Sequence, residues 1–238
     1  MTSLFDLKDK NAIITGSSRG IGKAIAYRMA EHGAKVIITS RKIDACENVA
    51  EEINSTFGKD TATAISCNIS DKEQLKNLYV KSKEFCGSIT TLVCNAAVNP
   101  YFGPSNNIPD EAFEKIMKSN VQSNFWLCNE ILPDMVKIKS GSIIIISSIA
   151  GLHGSSMLGA YAISKAADSQ LARNISVEYG RNNIRANCIS PGLIKTDFAR
   201  ALWELSLIHI SEPTRPERIA YAVFGVKKKG GGGGGGGG

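Results

Sequence analysis

Tyr161 and Lys165 are four residues apart in the stretch YAISK, inside a longer segment with helical character. Side chains at that spacing share one helix face, so a phenol and an ammonium can approach each other. The apolar run SIIIIS ends shortly before this helix, and Ser148 follows it directly. A Tyr–Lys pair also occurs by chance on ordinary helix faces. Here, however, the helix is preceded by a buried strand, and Ser148 places a hydroxyl at the carboxyl end of that strand, where a substrate would bind.

A second candidate site lies near the N-terminus, in the stretch TGSSRGIG. It follows an apolar run and opens a helical pattern, and its glycines allow a tight turn and close approach of a phosphate. The free N–H groups and the dipole of the following helix would favour the negative charge. A glycine-rich turn alone is weak evidence, and its position between strand and helix strengthens it. The candidate dinucleotide-binding residues of this loop are Gly16, Ser18, Arg19, Gly20, Ile21 and Gly22.

The end of the second predicted strand carries Ser40 and Arg41 and no acidic residue. A carboxylate there would accept hydrogen bonds from an adenosine ribose and repel a 2′-phosphate. Two guanidinium groups, those of Arg41 and Arg19, with a hydroxyl can instead bind a 2′-phosphate through charge-assisted hydrogen bonds. The alternative is that both arginines are solvated surface charges. The pattern favours NADP over NAD.

These candidate residues follow the strands of a regular strand–helix alternation. Continuous apolar strands indicate a parallel sheet with both faces covered, and ligands bind at the carboxyl ends of such strands. The fold class predicted is therefore α/β, a doubly wound parallel sheet in three layers. Strands are predicted at 11–15, 35–39, 62–66, 91–94, 142–147 and 184–190, and helices near 21–33, 45–58, 71–85, 110–137 (with a kink at Pro133) and 159–180.

Six motifs in order resemble those of the short-chain dehydrogenase/reductase family, in its compact single-domain branch with a Rossmann fold. The resemblance covers roughly residues 7–204, and the combination is highly specific. The motifs are TGSSRGIG, CNAA at 94–97, Asn120 in MKSNVQSNF, Ser148, YAISK and PGLIKT at 191–196.

The resemblance implies a catalytic tetrad of Asn120, Ser148, Tyr161 and Lys165. Tyr161 would be the general acid in carbonyl reduction and the base in alcohol oxidation, its pKa lowered by Lys165 and by oxidised nicotinamide. Ser148 would hydrogen-bond the substrate oxygen. Lys165 would also hold the nicotinamide ribose, and Asn120 would anchor a water that relays protons. No metal is implied.

The resemblance also extends the cofactor site beyond the glycine loop. The segment containing Asn95 and Ala96 would support the sheet beside the adenine ribose. Asn68 stands where the family often has an acid that binds the adenine amino group. The turn after the last strand would pass over the nicotinamide. The further cofactor residues implied are Asn68, Ile69, Asn95, Ala96, Tyr161, Lys165, Pro191, Gly192, Ile194 and Thr196.

The substrate pocket is expected to be apolar with few charges, which suits ketones, aldehydes or 3-oxoacyl groups. His153 invites a catalytic role, but a His in the pocket wall or at the surface is the more ordinary interpretation. The candidate pocket residues are Asn99, Tyr101, Phe102, His153, Met157, Phe198, Leu202 and Trp203.

Composition limits the other function classes. The net charge of +6 divides equally between residues 1–204 and 205–238, without a clustered basic patch, so nucleic-acid binding is not expected. No apolar run reaches the length of a membrane span, and the first residues have no signal core, so a cytoplasmic protein is expected. The six cysteines form no CxxC pair and are expected to be reduced.

The last 34 residues differ in character from the rest. The stretch at 205–215, LSLIHISEPTR, resembles a translated transposase-type sequencing-library adapter. The nine glycines at 230–238 would be the translation of a G run of the kind that empty sequencing cycles produce. A natural low-complexity tail is the alternative. We expect a domain at 1–204 and a non-native, disordered tail at 205–238. The resemblance implies a further strand and lid after Glu204, whose loss would impair the chain.

Two functions remain open at this point. The first is an NADP(H)-dependent oxidoreductase acting on a small carbonyl or secondary alcohol, in a homo-oligomer whose intact form is a dimer or tetramer. The second is a non-catalytic NADP-binding scaffold or an inactive truncated fragment. A complete set of catalytic residues favours the enzyme.

Overall fold

Six parallel strands form one sheet in the computed structural model, which describes residues 5–196 and residue 198. Their order across the sheet is β3-β2-β1-β4-β5-β6. The predicted α/β doubly wound sheet is confirmed. The strands are β1 (Asn11–Thr15), β2 (Lys35–Ser40), β3 (Ala62–Ser66), β4 (Thr91–Cys94), β5 (Gly141–Ile146) and β6 (Ile184–Ile189).

Six α-helices cover the two faces of this sheet. Successive residues of a strand point to opposite faces, so Ile13 of β1 belongs to one core and Ile14 to the other. Both are fully buried, which explains why the strand sequences are continuously apolar. The helices are α1 (Gly20–Glu31), α2 (Ile43–Phe57), α3 (Lys72–Cys86), α4 (Asp110–Met117), α5 (Ser123–Ile138) and α6 (Gly159–Tyr179).

Helix α3 shows how local sequence sets an element boundary. Asp71 is its N-cap, and the carboxylate accepts hydrogen bonds from the backbone N–H groups of Glu73 at 3.0 Å and Gln74 at 3.1 Å. These bonds satisfy amide donors that the first helical turn leaves without intrahelical partners. The predicted start near Asp71 agrees with this geometry.

Two helical stretches, with a kink at Pro133, are predicted over 110–137. The structure has two helices there, α4 and α5, joined by a π-helical turn, Lys118–Gln122. Pro133 lies inside α5, which continues to Ile138. Such π turns are often found at functional sites, and this one carries Asn120.

The strand order reverses at β1, whose two neighbours in the sheet are β2 and β4. The loops after β1 and β4 diverge there and leave a crevice at the carboxyl ends of the strands, where ligands bind in open α/β sheets. The predicted site residues follow these strands. Leu202, Trp203 and the predicted tail at 205–238 lie outside the described residues, so the expectations for them stay predictions.

None of the helices within the described ranges is long and apolar enough to cross a bilayer. In the same ranges all six cysteines are free thiols. No group of three or more His, Cys, Asp or Glu side chains in the described part could hold a metal ion.

Candidate active site

A cleft of about 1590 Å³ opens at the carboxyl ends of the strands. Of the sequence-predicted site residues, all but two line it. Gly22 and Asn120 lie behind its wall. Of the candidate pocket residues within the described part, Asn99, Phe102, His153 and Phe198 line the cleft, whereas Tyr101 and Met157 do not. The predicted site residues that line it are Gly16, Ser18, Arg19, Gly20, Ile21, Ser40, Arg41, Asn68, Ile69, Asn95, Ala96, Ser148, Tyr161, Lys165, Pro191, Gly192, Ile194 and Thr196.

The glycine loop has a conformation that depends on its glycines. Gly16 and Gly20 have φ of 67° and 57°, in the left-handed region that glycine adopts without strain. A Cβ on Gly16 would lie 3.1 Å from the Cα of Ala96, and a Cβ on Gly20 would lie 3.6 Å from Cγ2 of Thr196. The loop therefore lies close to the β4 segment on one side and to the segment after β6 on the other.

Asn95 fixes this loop from the neighbouring strand. Its Nδ2 donates to the backbone oxygen of Thr15 at 2.8 Å and of Gly16 at 3.3 Å, and its backbone N–H donates to Oγ1 of Thr15 at 2.9 Å. The side-chain amide is thus committed to the loop. This placement agrees with the expected role of supporting the sheet beside the cofactor site.

The loop and helix α1 fit a pyrophosphate. The glycines leave free the space that a Cβ would otherwise fill. Helix α1 begins at Gly20, and its N-terminus lies at the cleft. Backbone N–H groups and the helix dipole at such a terminus stabilise a phosphate anion. The residues present are therefore suited to hold a dinucleotide.

Basic side chains surround the end of the cleft next to β2. Arg19, Arg41 and Lys42 line it together with Ser40. The hydroxyl of Ser40 also contacts Cys46 Sγ at 3.1 Å. Among the described lining residues, the acids are Glu111 and Glu114 on α4, so no carboxylate follows β2 in this lining.

Asn68, the departure from the family pattern, is also in the lining. Its Oδ1 accepts from the backbone N–H of Ser70 at 3.2 Å, and its own backbone N–H donates to Oε1 of Gln74 at 2.8 Å. The carbonyl oxygen thus has one local donor and retains a second lone pair for a ligand.

Ser148 and Tyr161 face each other across the deep end of the cleft. The hydroxyl of Ser148 is near enough to lower the pKa of the phenol. Oγ of Ser148 also accepts from the backbone N–H of Ala150 at 3.1 Å. The backbone on either side of Ser148 is held by the end of β6 and by the segment after it: Ser147 N–H donates to Ile189 O at 2.7 Å, and Ile149 N–H donates to Pro191 O at 3.0 Å.

Lys165 lies beneath Tyr161 on the same face of α6, as the spacing predicted. Its Nζ is 5.7 Å from the centroid of the Tyr161 ring. The ammonium donates to the backbone oxygen of Ile146 at 2.9 Å and to Oδ2 of Asp168 at 2.9 Å. The backbone of Lys165 is held as well, because Ser147 Oγ donates to its carbonyl oxygen at 2.7 Å.

Asn120 is fully buried behind the cleft wall. Its Oδ1 accepts from Val98 N–H at 2.8 Å, and its Nδ2 donates to Val98 O at 3.0 Å and to Ser164 Oγ at 3.0 Å. Both polar side-chain atoms of Asn120 thus connect the π turn by hydrogen bonds to the segment after β4 or to α6. The side chain positions neighbouring elements and does not itself reach the cleft.

Burial and Lys165 act on the pKa of Tyr161 in opposite directions. Burial raises the pKa of this phenol, and the ammonium of Lys165 and the hydroxyl of Ser148 lower it without overcoming that effect. Lys165 therefore acts in the expected direction, and in the protein alone the desolvation of the phenolate outweighs it. A positive charge on bound nicotinamide would act in the same direction as Lys165.

Two buried polar residues beside the tetrad were missed at the sequence level. Asp168 pairs with Lys165, and Asn124 donates through Nδ2 to Oδ1 of Asp168 at 2.9 Å. The signal was present: Asp168 follows Lys165 by three residues and Asn124 follows Asn120 by four, so each pair shares a helix face.

The wall of the outer part of the cleft contains both aromatic and polar side chains. The ring of Phe198 lies 6.3 Å from that of Tyr161, centroid to centroid. Among the described residues, Oδ1 of Asn99 is a buried side-chain oxygen without a hydrogen-bond partner, and Asn99 lines the cleft. A buried acceptor of this kind is costly unless a ligand or water supplies a donor.

The model of the short chain dehydrogenase family matches residues 10–205. The chain belongs to this family. It is 37% identical over 223 residues to "Dehydrogenase/reductase SDR family member 4" of Bos taurus, covering 93% of this chain and 76% of that protein. It is 38% identical over 195 residues to "Dehydrogenase/reductase SDR family member 2, mitochondrial" of Homo sapiens, covering 82% and 68%.

Solved structures of other short-chain dehydrogenases superpose on this chain. A 7α-hydroxysteroid dehydrogenase complexed with NADH and 7-oxo glycochenodeoxycholic acid has a TM-score of 0.77 at 35% identity, covering 88% of this chain and 77% of that one. A short-chain type dehydrogenase/reductase from Mycobacterium marinum has a TM-score of 0.80 at 33% identity, covering 86% and 81%. Membership of this family assigns the chain to oxidoreductases that use a nicotinamide cofactor.

Proposed function

We propose that this short-chain dehydrogenase transfers a hydride between NADP(H) and a carbonyl or secondary alcohol, with Tyr161 as the acid–base group. The observation that carries the proposal is the meeting of Ser148, Tyr161 and Lys165 at the deep end of a cleft whose other end is the glycine loop. A dinucleotide bound along this cleft would present its reactive ring beside the phenol.

The nicotinamide supplies the hydride, and the protein supplies the proton. In reduction, the O–H bond of Tyr161 breaks as a new O–H bond forms on the substrate oxygen, while the carbonyl carbon accepts the hydride. Ser148 donates a hydrogen bond to that oxygen, where negative charge develops. In oxidation, the phenolate of Tyr161 accepts the alcohol proton.

Lys165 and Asn120 prepare this step. The ammonium lies beneath the phenol and favours its ionised form. Its proposed second role, implied by the family, is to hold the nicotinamide ribose. Asn120 holds the π turn against α6 through Ser164, one turn from Tyr161. We propose that the water-mediated proton relay expected from the family runs past the backbone of this turn.

The preference for NADP(H) is supported by the charges next to β2. Arg19, Arg41 and Lys42 provide cationic donors for a 2′-phosphate, and no carboxylate of the described lining lies there to repel it. The 7α-hydroxysteroid dehydrogenase neighbour was complexed with NADH, so the choice of cofactor has to be measured on this chain.

The substrate class we propose is a ketone, an aldehyde or a 3-oxoacyl group. Phe102 and Phe198 give the outer cleft apolar walls, and Asn99 offers a buried acceptor for a substrate hydroxyl or amide. His153 lines the same wall, and its proposed role is that of a pocket residue. The 7-oxo steroid in the neighbour's structure is a ketone of this general class.

The test is NADPH oxidation by the full chain against a panel of ketones, aldehydes and 3-oxoacyl thioesters. Tyr161→Phe should lower kcat by about 10²- to 10⁴-fold, because it removes the general acid, while NADPH binding is retained. Tyr179→Phe, at the far end of α6, is the matched control and should leave kcat unchanged. A wild-type chain that binds NADPH and turns over no carbonyl would favour the scaffold or inactive-fragment alternative.

We also propose that the protein is a homo-oligomer, in keeping with the apolar face of α5 and α6. Phe125, Ile163 and Val177 are 51%, 53% and 83% exposed, and the two α6 residues are fourteen apart, about four helical turns. Val177→Asp should shift the molar mass measured by light scattering toward the monomer. A wild-type monomer would overturn the proposal. The cytoplasmic localisation and the domain division at 204/205 stay predictions; genomic sequencing across the codon for Glu204 tests the second.

A further inference from the structure

The Lys165 ammonium is paired with a carboxylate that belongs to no predicted site. Oδ2 of Asp168 lies 2.9 Å from Nζ of Lys165, and the two side chains are 0% and 3% exposed. The backbone oxygen of Ile146 is the second acceptor, at 2.9 Å. Two fixed acceptors define the position of the ammonium and leave one N–H direction for the cleft, which Lys165 also lines.

The carboxylate is itself held in place by α5. Its second oxygen accepts from Nδ2 of Asn124 at 2.9 Å, and the same amide donates to the backbone oxygen of Asn120 at 2.7 Å. A continuous set of hydrogen bonds thus runs from the π turn through Asn124 and Asp168 to Lys165. Both carboxylate oxygens are used, so this is a built network and not an incidental contact.

This arrangement changes the field that Tyr161 experiences. A single ammonium 5.7 Å from the ring would strongly favour phenolate, whereas an ammonium with a carboxylate directly bonded to it acts as a dipole. The shifts at Tyr161 agree: burial raises the pKa of the phenol most, Lys165 lowers it, and Asp168 raises it. Burial also raises the pKa of Asp168, and the contacts with Lys165 and Asn124 oppose that change by favouring the carboxylate.

We propose that Asp168 is a positioning residue that fixes the Lys165 ammonium beneath Tyr161 and cancels part of its field, so that the phenol stays protonated and ready to donate to a carbonyl oxygen. The inference rests on the proposed function and deepens it: this site is built for the proton-donating, reductive half of the chemistry at neutral pH.

The other titratable groups that face the pair are thiols. Cys94 of β4, Cys188 of β6 and Cys128 of α5 lie near this part of α6. The neighbouring thiol of Cys128 and burial raise the pKa of Cys94, and burial raises that of Cys188. Both pKa values lie above the ordinary thiol value. Within the described part, the formal charges that act on Tyr161 are those of Lys165 and Asp168.

The direct test is a titration of Tyr161 by the ultraviolet absorbance of tyrosinate in the cofactor-free chain. The Tyr161 signal is obtained by subtracting the titration of the corresponding Tyr161→Phe protein. Asp168→Asn should lower the midpoint by roughly one pH unit or more, because a neutral amide no longer offsets the ammonium. Asp168→Glu restores a carboxylate and should return the midpoint toward that of the wild type.

The matched control is Asp134→Asn, which removes the carboxylate of another ion pair, that of Lys83 with Asp134, outside the cleft lining. It should leave the midpoint unchanged although it removes an ion pair. A midpoint in Asp168→Asn that equals the wild-type value, or lies above it, overturns the proposal. If Asp168→Asn does not fold, Asp168→Ser keeps a hydrogen-bond acceptor for Lys165 and carries the same prediction.

A kinetic readout completes the test. In carbonyl reduction, the pH above which kcat falls should move down in Asp168→Asn by the same interval as the absorbance midpoint. The absorbance titration needs no substrate, so it still decides the role of Asp168 if no carbonyl on the panel is turned over. Absence of turnover with a shifted midpoint would count against the proposed function alone.

Discussion

Gly22 packs so closely on Gly16 that a Cβ at Gly22 would lie 2.4 Å from the carbonyl oxygen of Gly16. The same Cβ would lie 2.6 Å from Nδ2 of Asn95, the group that holds the loop. Gly22→Ala should therefore lower the free energy of unfolding by about 1–3 kcal/mol, the usual result of overpacking a rigid site. Because the loop would have to shift, NADPH affinity should fall as well.

Gly180→Ala is the control for this substitution. Gly180 follows α6 with φ of −58°, and a Cβ there would meet no atom within 4 Å among the described residues. Chemical denaturation and NADPH fluorescence titration of both variants give the comparison. Equal stability and equal affinity in Gly22→Ala and the wild type would contradict the packing argument.

Arg41 is predicted to decide between the two cofactors. Arg41→Asp replaces a donor for the 2′-phosphate by a carboxylate that repels it, and should raise KM for NADPH by about 10- to 100-fold, the value of one or two charge-assisted hydrogen bonds. KM for NADH should stay the same or fall. Arg173→Asp, on the exposed face of α6, is the charge-matched control. An unchanged ratio of the two KM values would show that Arg41 is only a surface charge.

The pH dependence of reduction follows from the pKa of Tyr161. Because burial raises that pKa above the ordinary value, the phenol is protonated throughout the neutral range and loses its proton only at higher pH. The rate of carbonyl reduction at saturating NADPH should hold through neutrality and fall only at alkaline pH. Alcohol oxidation, which needs phenolate, should rise with pH. A reduction rate that already falls within the neutral range would contradict this.

Asn120 is expected to be important for stability as much as for turnover. Asn120→Ala leaves the partly buried N–H and C=O groups of Val98 without their side-chain partner, and should lower the free energy of unfolding by about 2–4 kcal/mol. The surface substitution Asn174→Ala, which removes one exposed hydrogen bond with Gln170, should cost far less. Thermal melts of the two variants make the test, and similar melting temperatures would refute it.

The sheet could be predicted from the sequence almost to the residue. β1, β3 and β4 have their predicted bounds, β2 and β6 differ by one residue at one end, and β5 is shifted by one residue at both ends. This accuracy has a physical cause: strands buried on both faces must be continuously apolar, and the polar or glycine residues that follow them mark their ends. The predicted catalytic and cofactor residues converge on one cleft for the same reason, since they follow parallel strands.

What the sequence could not provide depends on contacts between distant residues. The π turn at Lys118–Gln122 is stabilised by bonds from Asn120 to Val98 and Ser164, which no local pattern shows. The pKa of Tyr161 depends on how deeply the phenol is buried, and burial is a property of the whole fold. The spacing of Asp168 from Lys165 indicates a shared helix face, whereas its bond with Asn124 of α5 joins residues 44 positions apart and has no local pattern.

The bond between Asn95 and Thr15 has a further consequence, for the order of events during folding. The two residues are 80 positions apart, and the closure that joins them also brings β4 beside β1. Contacts of such long sequence separation form at a large entropic cost and late. A nascent chain in which only β1 to β3 are complete therefore contains the glycine loop, but it lacks the Asn95 hydrogen bonds that hold this loop in place. The nucleotide can bind, and stabilise the native state by mass action, only after the second half of the sheet has begun to assemble.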